Sequence, residues 1–186
     1  MELFKAIYTR QSIGKFRPDP IPRQLVEQIL DAAAAAPNHG RLRPWRFVVL
    51  SGNARRRLGD LMAGVALKQN ADLSPEKLEG ERGKPLRAPV LIAVGVDKPG
   101  QNRITEMENV CACAAAVENL LLAAHDLGLG AIWKTGGAVE DGEIKTFLGF
   151  EADQHLIAIV YLGYPENEPV QPDRPRAADR TRWLEE

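Results

Sequence analysis

Residues 1–186 predict one domain in which helices alternate with short, strongly apolar strands. Three observations carry this. The length suffices for a single full core. Segments with apolar residues at helical spacing alternate with compact runs rich in Val, Ile and Leu. Neither an internal repeat nor a linker divides the chain.

The elements follow in order. Leu3, Phe4 and Ile7 make a short amphipathic helix ending near Thr9. Pro22 sits at a helix start, where its missing N–H costs nothing; Leu25, Val26, Ile29, Leu30 and Ala33 then share a face, and Pro37 stops the helix. Residues 46–50 form a strand, and 54 to about 69 a helix with Leu58, Leu61, Met62 and Val65 on one side. Residues 70–87 are charged and interrupted by Pro75, Gly80, Gly83 and Pro85. They read as a mobile surface segment, either a lid or channel wall or a solvated insertion. Residues 89–96 show no alternation and predict a strand buried on both faces. A helix from about 105 to 127, apolar nearly all round between Val110 and Ala124, belongs in the middle of a core; Gly128 ends it. A short strand at 131–133, a helix at 139–147 and a buried strand at 155–163 complete the set. From Tyr164 onward come four prolines and four arginines, so the tail is disordered or an extended arm; Trp183 and Leu184 favour docking on another surface.

Charge is nearly balanced, with a net of −1, and argues against a nucleic-acid partner. Two cysteines exclude a disulfide framework and fit a reducing, cytoplasmic compartment. The first residues carry no apolar signal core, and the run from Val110 to Val117 falls short of the ~20 residues that span a bilayer, so neither secretion nor a membrane is expected.

The most informative stretch runs from Gly128 to Gly137. A strand ends in Trp133, Lys134, Thr135, Gly136 and Gly137: a ring, a cation, a hydroxyl and two glycines that let backbone approach a flat, anionic, hydrogen-bonding cofactor. It is not the dinucleotide fingerprint, because Trp133 stands where a third glycine would be needed. A phosphate must then be held elsewhere. Arg10, Gln11 and Ser12 offer a guanidinium fork, an amide and a hydroxyl; the plain alternative is an ordinary polar helix end. The loop from Ala36 to Trp45 is donor-rich and constrained by two prolines, as at the edge of a site. His39 within it is an acid–base candidate or a hydrogen-bonding or stacking residue. Cys111 and Cys113 lie two apart on a helix and point in different directions, and the three histidines lack ligand spacing, so no metal is expected. Neither a nucleophile elbow nor a Walker loop is present, and no catalytic side chain is assigned.

With these segments in view, the chain resembles the FMN-dependent NAD(P)H nitroreductase family, in particular its small bacterial members. The likeness covers nearly the whole chain: the N-terminal helix leading into Arg10-Gln11-Ser12, the loop ending Pro44-Trp45-Arg46-Phe47, and the strand end through Trp133, Lys134, Thr135 and Gly136. It implies an α+β fold with a central, mostly antiparallel sheet flanked by helices. It also implies a single FMN-binding domain over 1–186, a homodimer, and a C-terminal arm over 165–186 that embraces the partner. It implies FMN as cofactor, held by Arg10, Gln11, Ser12, Trp133, Lys134, Thr135 and Gly136, with Ala35 and His39 reaching in from the other subunit. The implied reaction takes hydride from NADH or NADPH and reduces a small acceptor such as a nitroaromatic or quinone through one alternating site. The alternatives are a flavoenzyme acting on another activated or anionic substrate, for which Arg41 and Arg43 speak, and a non-catalytic flavin-binding dimer. Many relatives carry a cation where this chain has Gly14; Lys15 or Lys134 is the substitute.

Overall fold

The computed structural model describes residues 1–100, 104–170 and 172–185. The elements are α1 (Leu3–Thr9), α2 (Arg23–Ala34), β1 (Trp45–Leu50), α3 (Asn53–Gln69), α4 (Pro75–Gly83), β2 (Val90–Val96), α5 (Glu106–Asp126), β3 (Gly130–Lys134), α6 (Gly137–Glu140), α7 (Gly142–Phe147) and β4 (His155–Gly163). The strands form one sheet in the order β1-β2-β4-β3, every ladder antiparallel.

The middle strands explain the missing alternation. Val90, Ile92, Val94 and Val96 of β2 face one way, into a core with α2 and α5. Leu91 and Ala93 face the other, into a second core with α3 and α7. All of β2 is buried, as its uniform apolarity requires. The sheet is therefore the middle of three layers, an α+β sandwich.

Three readings need correction. Residues 70–87 are not a loose segment. Ser74 caps α4, its Oγ accepting from the Lys77 N–H at 3.4 Å, and Pro75 takes the first helical position. The proline that reads as a breaker is thus a helix starter. A 3₁₀ turn over Lys84–Arg87 follows. Second, the helix expected from 139 is divided at Asp141 (ψ 130°), whose carboxylate caps α7 by accepting from the N–H groups of Glu143 and Ile144. Third, α5 is not covered all round. It buries Ala112, Cys113, Ala116, Val117, Leu120, Leu121 and Ala124 against α2 and the sheet, while Met107, Cys111 and Glu118 face outward. By length and composition α5 is apolar enough to cross a bilayer, a point the shorter run from Val110 to Val117 hides; here it packs on the sheet.

The N-terminal segment is stitched to the sheet end. Ser12 bridges Ala131 of β3 in parallel, with the Ile13 N–H donating to the Ala131 carbonyl at 3.0 Å. Gly130 makes room: a Cβ there would meet Ile13 at 2.9 Å. Farther on, Phe16 bridges Pro165, and the Arg17 N–H donates to the Tyr164 carbonyl at 2.9 Å. The tail continues over the same segment: Gln11 donates to the Val170 carbonyl and Arg174 to the Arg10 carbonyl. Trp183 and Leu184 remain 80% exposed, with nothing over them among the described residues.

Helices α3 and α4 approach so closely that a Cβ on Gly59 would lie 2.2 Å from the Arg82 carbonyl oxygen. Replacing an interior helical glycine by alanine ordinarily gains about 0.5–1 kcal/mol. Overpacking against backbone costs roughly 1–3 kcal/mol and wins. Gly59→Ala should therefore lower the urea midpoint. Gly64→Ala, one and a half turns along the same helix with open space around it, should raise it. Equal shifts for the two would refute the close approach of α4.

Candidate functional site

The end of β3 opens into a cleft of about 560 Å³. Its floor is Ile132, Lys134, Thr135, Gly136 and Gly137, with Gly14 beside them; its walls come from α3 and from Glu81, Lys84 and Arg87. The segment over 75–87 thus forms a wall of the cleft. Gly136 sits at φ 119° with open space where a side chain would be, a conformation that other residues avoid. That turn exposes backbone to the cleft, as the two glycines suggest.

Strand alternation decides which side chains reach this space. Ile132 packs toward α3, and Lys134 lines the cleft. Ala131 and Trp133 point to the α5 side. The indole of Trp133 donates to the Ile157 carbonyl at 2.9 Å and packs on the core. The ring expected to border a cofactor is therefore committed to the protein interior, because its register on β3 is odd where Lys134 is even. Its main chain stays on the outer edge of the sheet.

Arg10 and Gln11 line a narrower crevice with Ile13, Leu121, His125, Ala131 and Pro165. The Arg10 guanidinium pairs with Glu118 at 3.4 Å. Thr9 and His125 are hydrogen-bonded at 2.7 Å beneath it; burial first, then Arg10, draws the His125 pKa down. Within one chain Arg10 and Lys134 do not line the same cavity. Ser12, paired with Ala131, lies in the chain between Gln11 of the narrow crevice and Gly14 of the cleft, and itself lines neither.

Ala35 is the exposed last residue of the turn closing α2, and His39 lies in the 3₁₀ turn His39–Arg41. Neither lines the cleft of its own chain. Arg41 (φ 54°) and Arg43 (φ 51°) are exposed in the same loop, which Asn38 pins by accepting from the Arg43 N–H at 2.9 Å. The two arginines are also absent from the cleft lining. Lys15 is exposed outside it, so of the two candidate cations only Lys134 lines the cleft.

Three residues that sequence reasoning passed over belong here. Glu81, Lys84 and Arg87 fall in the segment read as a lid or channel wall or a solvated insertion; they line the cleft, as the wall alternative has it, and the Ser74-Pro75 helix start is the signal for their order. The Cys113 thiol is pushed up to about 12 by burial, so it acts as a small apolar group in α5. No group of three or more metal-ligating side chains gathers among the described residues. In α5, Asn119 donates to the Ala32 carbonyl at 3.2 Å, tying α5 to α2.

The geometry matches known proteins along its whole length. Residues 7–164 fit the model of the nitroreductase family. The Bacillus subtilis (strain 168) protein named "Putative NAD(P)H nitroreductase YfhC" is 30% identical over 175 residues, covering 94% of this chain and 90% of that protein. A nitroreductase-like family protein from Bacillus cereus superposes with a TM-score of 0.85 at 23% identity, covering 100% of this chain and 97% of that one, which is a likeness of fold. A Desulfovibrio desulfuricans chain crystallised in complex with FMN superposes with a TM-score of 0.73 at 26% identity, covering 100% of this chain and 97% of that one.

At the mouth of α5, Glu108 closes a capping box with Thr105 and meets His39 Nδ1 at 2.8 Å. Its carboxyl pKa is held at about 2, first by the Thr105 backbone N–H, then by His39 and the Thr105 hydroxyl. The folded value lies below the ordinary 4.5, so the stabilisation is present above about 4.5 and is lost as pH falls toward 2. An NMR titration of Glu108 should show a midpoint near 2, moved upward by His39→Ala; a midpoint near 4.5 would mean the box does not form. The family match and the order of its motifs agree: this chain belongs to the nitroreductase family.

Proposed function

We propose that this protein is an FMN-dependent NAD(P)H oxidoreductase that reduces a small acceptor such as a nitroaromatic or quinone. The observation that carries the reading is the cleft at the end of β3. Its volume lies in the range of roughly 300–1,000 Å³ that cofactor sites occupy. Cations outnumber carboxylates on its lining, Lys84, Arg87 and Lys134 against Glu81, which suits an anionic cofactor. The residues present therefore fit FMN. Lys134, Thr135, Gly136 and Gly137 would hold its ring system through backbone and a single cation. Arg10, Ser12 and Arg174 would hold its phosphate, Arg174 being brought to Arg10 by the tail. Bound there, FMN supplies the two-electron chemistry between the nicotinamide nucleotide and the acceptor.

The chain's own contribution is placement and charge. Lys134 would stand beside the ring position, in place of a cation at Gly14. Met62, Val65 and Ala66 give the cleft an apolar wall that limits water. Tyr161 lines the same space, its phenol pKa raised by burial above all, and so supplies a neutral O–H donor.

The dimer belongs to the same reading. Leu3, Phe4, Ile7 and Tyr8 of α1, Met107 of α5, and Trp183 and Leu184 of the tail are exposed large apolar groups. A second copy would cover them, and would bring its Ala35 and His39 to this cleft. Free Cys111 and Cys113 are in keeping with a cytoplasmic enzyme.

The purified protein should be yellow, sediment as a dimer, and lose its colour on adding NADH or NADPH without air. Arg10→Ala should weaken FMN retention by roughly tenfold or more, the loss of a charge-assisted contact of about 1.5–3 kcal/mol. A colourless protein that takes up no added FMN would overturn the reading. Full FMN retention by the variant would remove Arg10 from the phosphate anchor.

A further inference from the structure

Beside the cofactor cleft lies a second one, of about 320 Å³, lined by Phe16, Arg17, Pro18, Arg55, Arg56, Leu86, Arg87, Ala88 and Pro89. Four of those residues are arginines and none is acidic. Arg87 lines both clefts, so the two adjoin. Arg17 has a carboxylate nearby, Asp19 at 3.5 Å, and stacks on Tyr164 at 5.1 Å. Among the described residues, Arg55, Arg56 and Arg87 form no ion pair. Such crowding is unfavourable without a counter-charge.

The placement makes the crowding worse. Arg55 and Arg56 stand in the first turn of α3, a helix of 17 residues whose first turn holds no acidic residue. The N-terminal end of a helix carries a partial positive charge and disfavours cations. Arg55 donates from Nη1 to the Ala88 carbonyl at 2.5 Å, which leaves Nε buried with no acceptor. A buried donor of a charged group without a partner is costly. Burial first, and Arg56 second, draw the Arg55 pKa below its ordinary value. A surface held in this state is suited to a polyanion, and guanidinium forks match phosphate oxygens. Phosphate binding would relieve the mutual repulsion and oppose the helix dipole with the correct sign.

We infer that the cleft formed by Arg17, Arg55, Arg56 and Arg87 binds a phosphate group of the nicotinamide nucleotide, steering the donor toward the adjoining cleft at the end of β3. The inference rests on the donor role proposed above. The shared chemistry is a phosphate ester; the diphosphate bridge and a 2′-phosphate are its two sources. The cofactor's own phosphate is proposed at the other opening, which Arg10 lines and where Arg174 donates to the Arg10 carbonyl.

The test uses the FMN-loaded protein and calorimetric titration with pyrophosphate and with adenosine 2′,5′-bisphosphate. At least one should bind the wild type, and Arg56→Gln should weaken it about tenfold or more. Arg56 is exposed, so this variant avoids the half-buried Arg55 and should fold. Arg57→Gln is the control for net charge. Arg57 is in the same helical turn but stacks on Phe147 at 4.9 Å and lines a different opening, so its loss should leave binding unaltered. Steady-state kinetics then separate the sources. A raised KM for NADH and NADPH alike identifies the diphosphate, and a raised KM for NADPH alone the 2′-phosphate. Four results would overturn the inference: no binding of either probe to the wild type, equal weakening by Arg57→Gln, unchanged KM for both donors in Arg56→Gln, or loss of FMN from that variant. If the wild type binds the probes but neither nucleotide bleaches it, the donor reading fails while the phosphate cleft itself stands.

Discussion

Everything at the site depends on one short seam. The segment leaving α1 pairs with the edge of β3 through Ser12 and Ala131, and the Ile13 N–H donates to the Ala131 carbonyl. Gly130 has no side chain to hold Ile13 off. β3 is an edge strand, so its outer backbone groups would otherwise be bare. The seam satisfies part of that edge and in doing so sets two chemically different groups next to each other. Arg10 is carried to one opening and Gly14 to the other. The tail then locks the segment from outside, through Tyr164, Val170 and Arg174.

Sheet register divides the labour along β3. Alternate residues must face opposite layers, so Trp133 is drawn into the core beside α5 while Lys134 emerges over α3. A ring and a cation adjacent in sequence therefore end in different environments. The same rule places Ile132 against the second core and Ala131 against the first. What the strand offers the cleft is a lysine, a hydroxyl and exposed backbone, with the aromatic group serving as an internal anchor.

Much of this was legible in the residues. The long strands announce themselves because burial on both faces leaves no polar positions, as in β2. The amphipathic α2 follows from its spacing, and the bare backbone at the end of β3 from the glycine pair. α4 was missed because Pro75, Gly80 and Gly83 look like punctuation when the Ser74 cap is not weighed against them. α5 looked fully enclosed because a helix apolar nearly all round does not reveal in its sequence which face stays open, and here Met107, Cys111 and Glu118 do. The direction of the Trp133 indole depends on which alternate residues of β3 face α5, and a short, uniformly apolar strand does not encode that. The arginine cleft unites residues 17, 55, 56 and 87, which only the tertiary fold brings together.

The central claim is that the Ser12–Ala131 seam joins a phosphate anchor to a ring cleft and so builds one FMN site. A crystal structure of the protein loaded with FMN tests it most directly. The account predicts phosphate density against Arg10, Ser12 and Arg174, with the ring system lying along Lys134 to Gly137. Phosphate density among Arg55, Arg56 and Arg87, or a ring bound away from the end of β3, would contradict it.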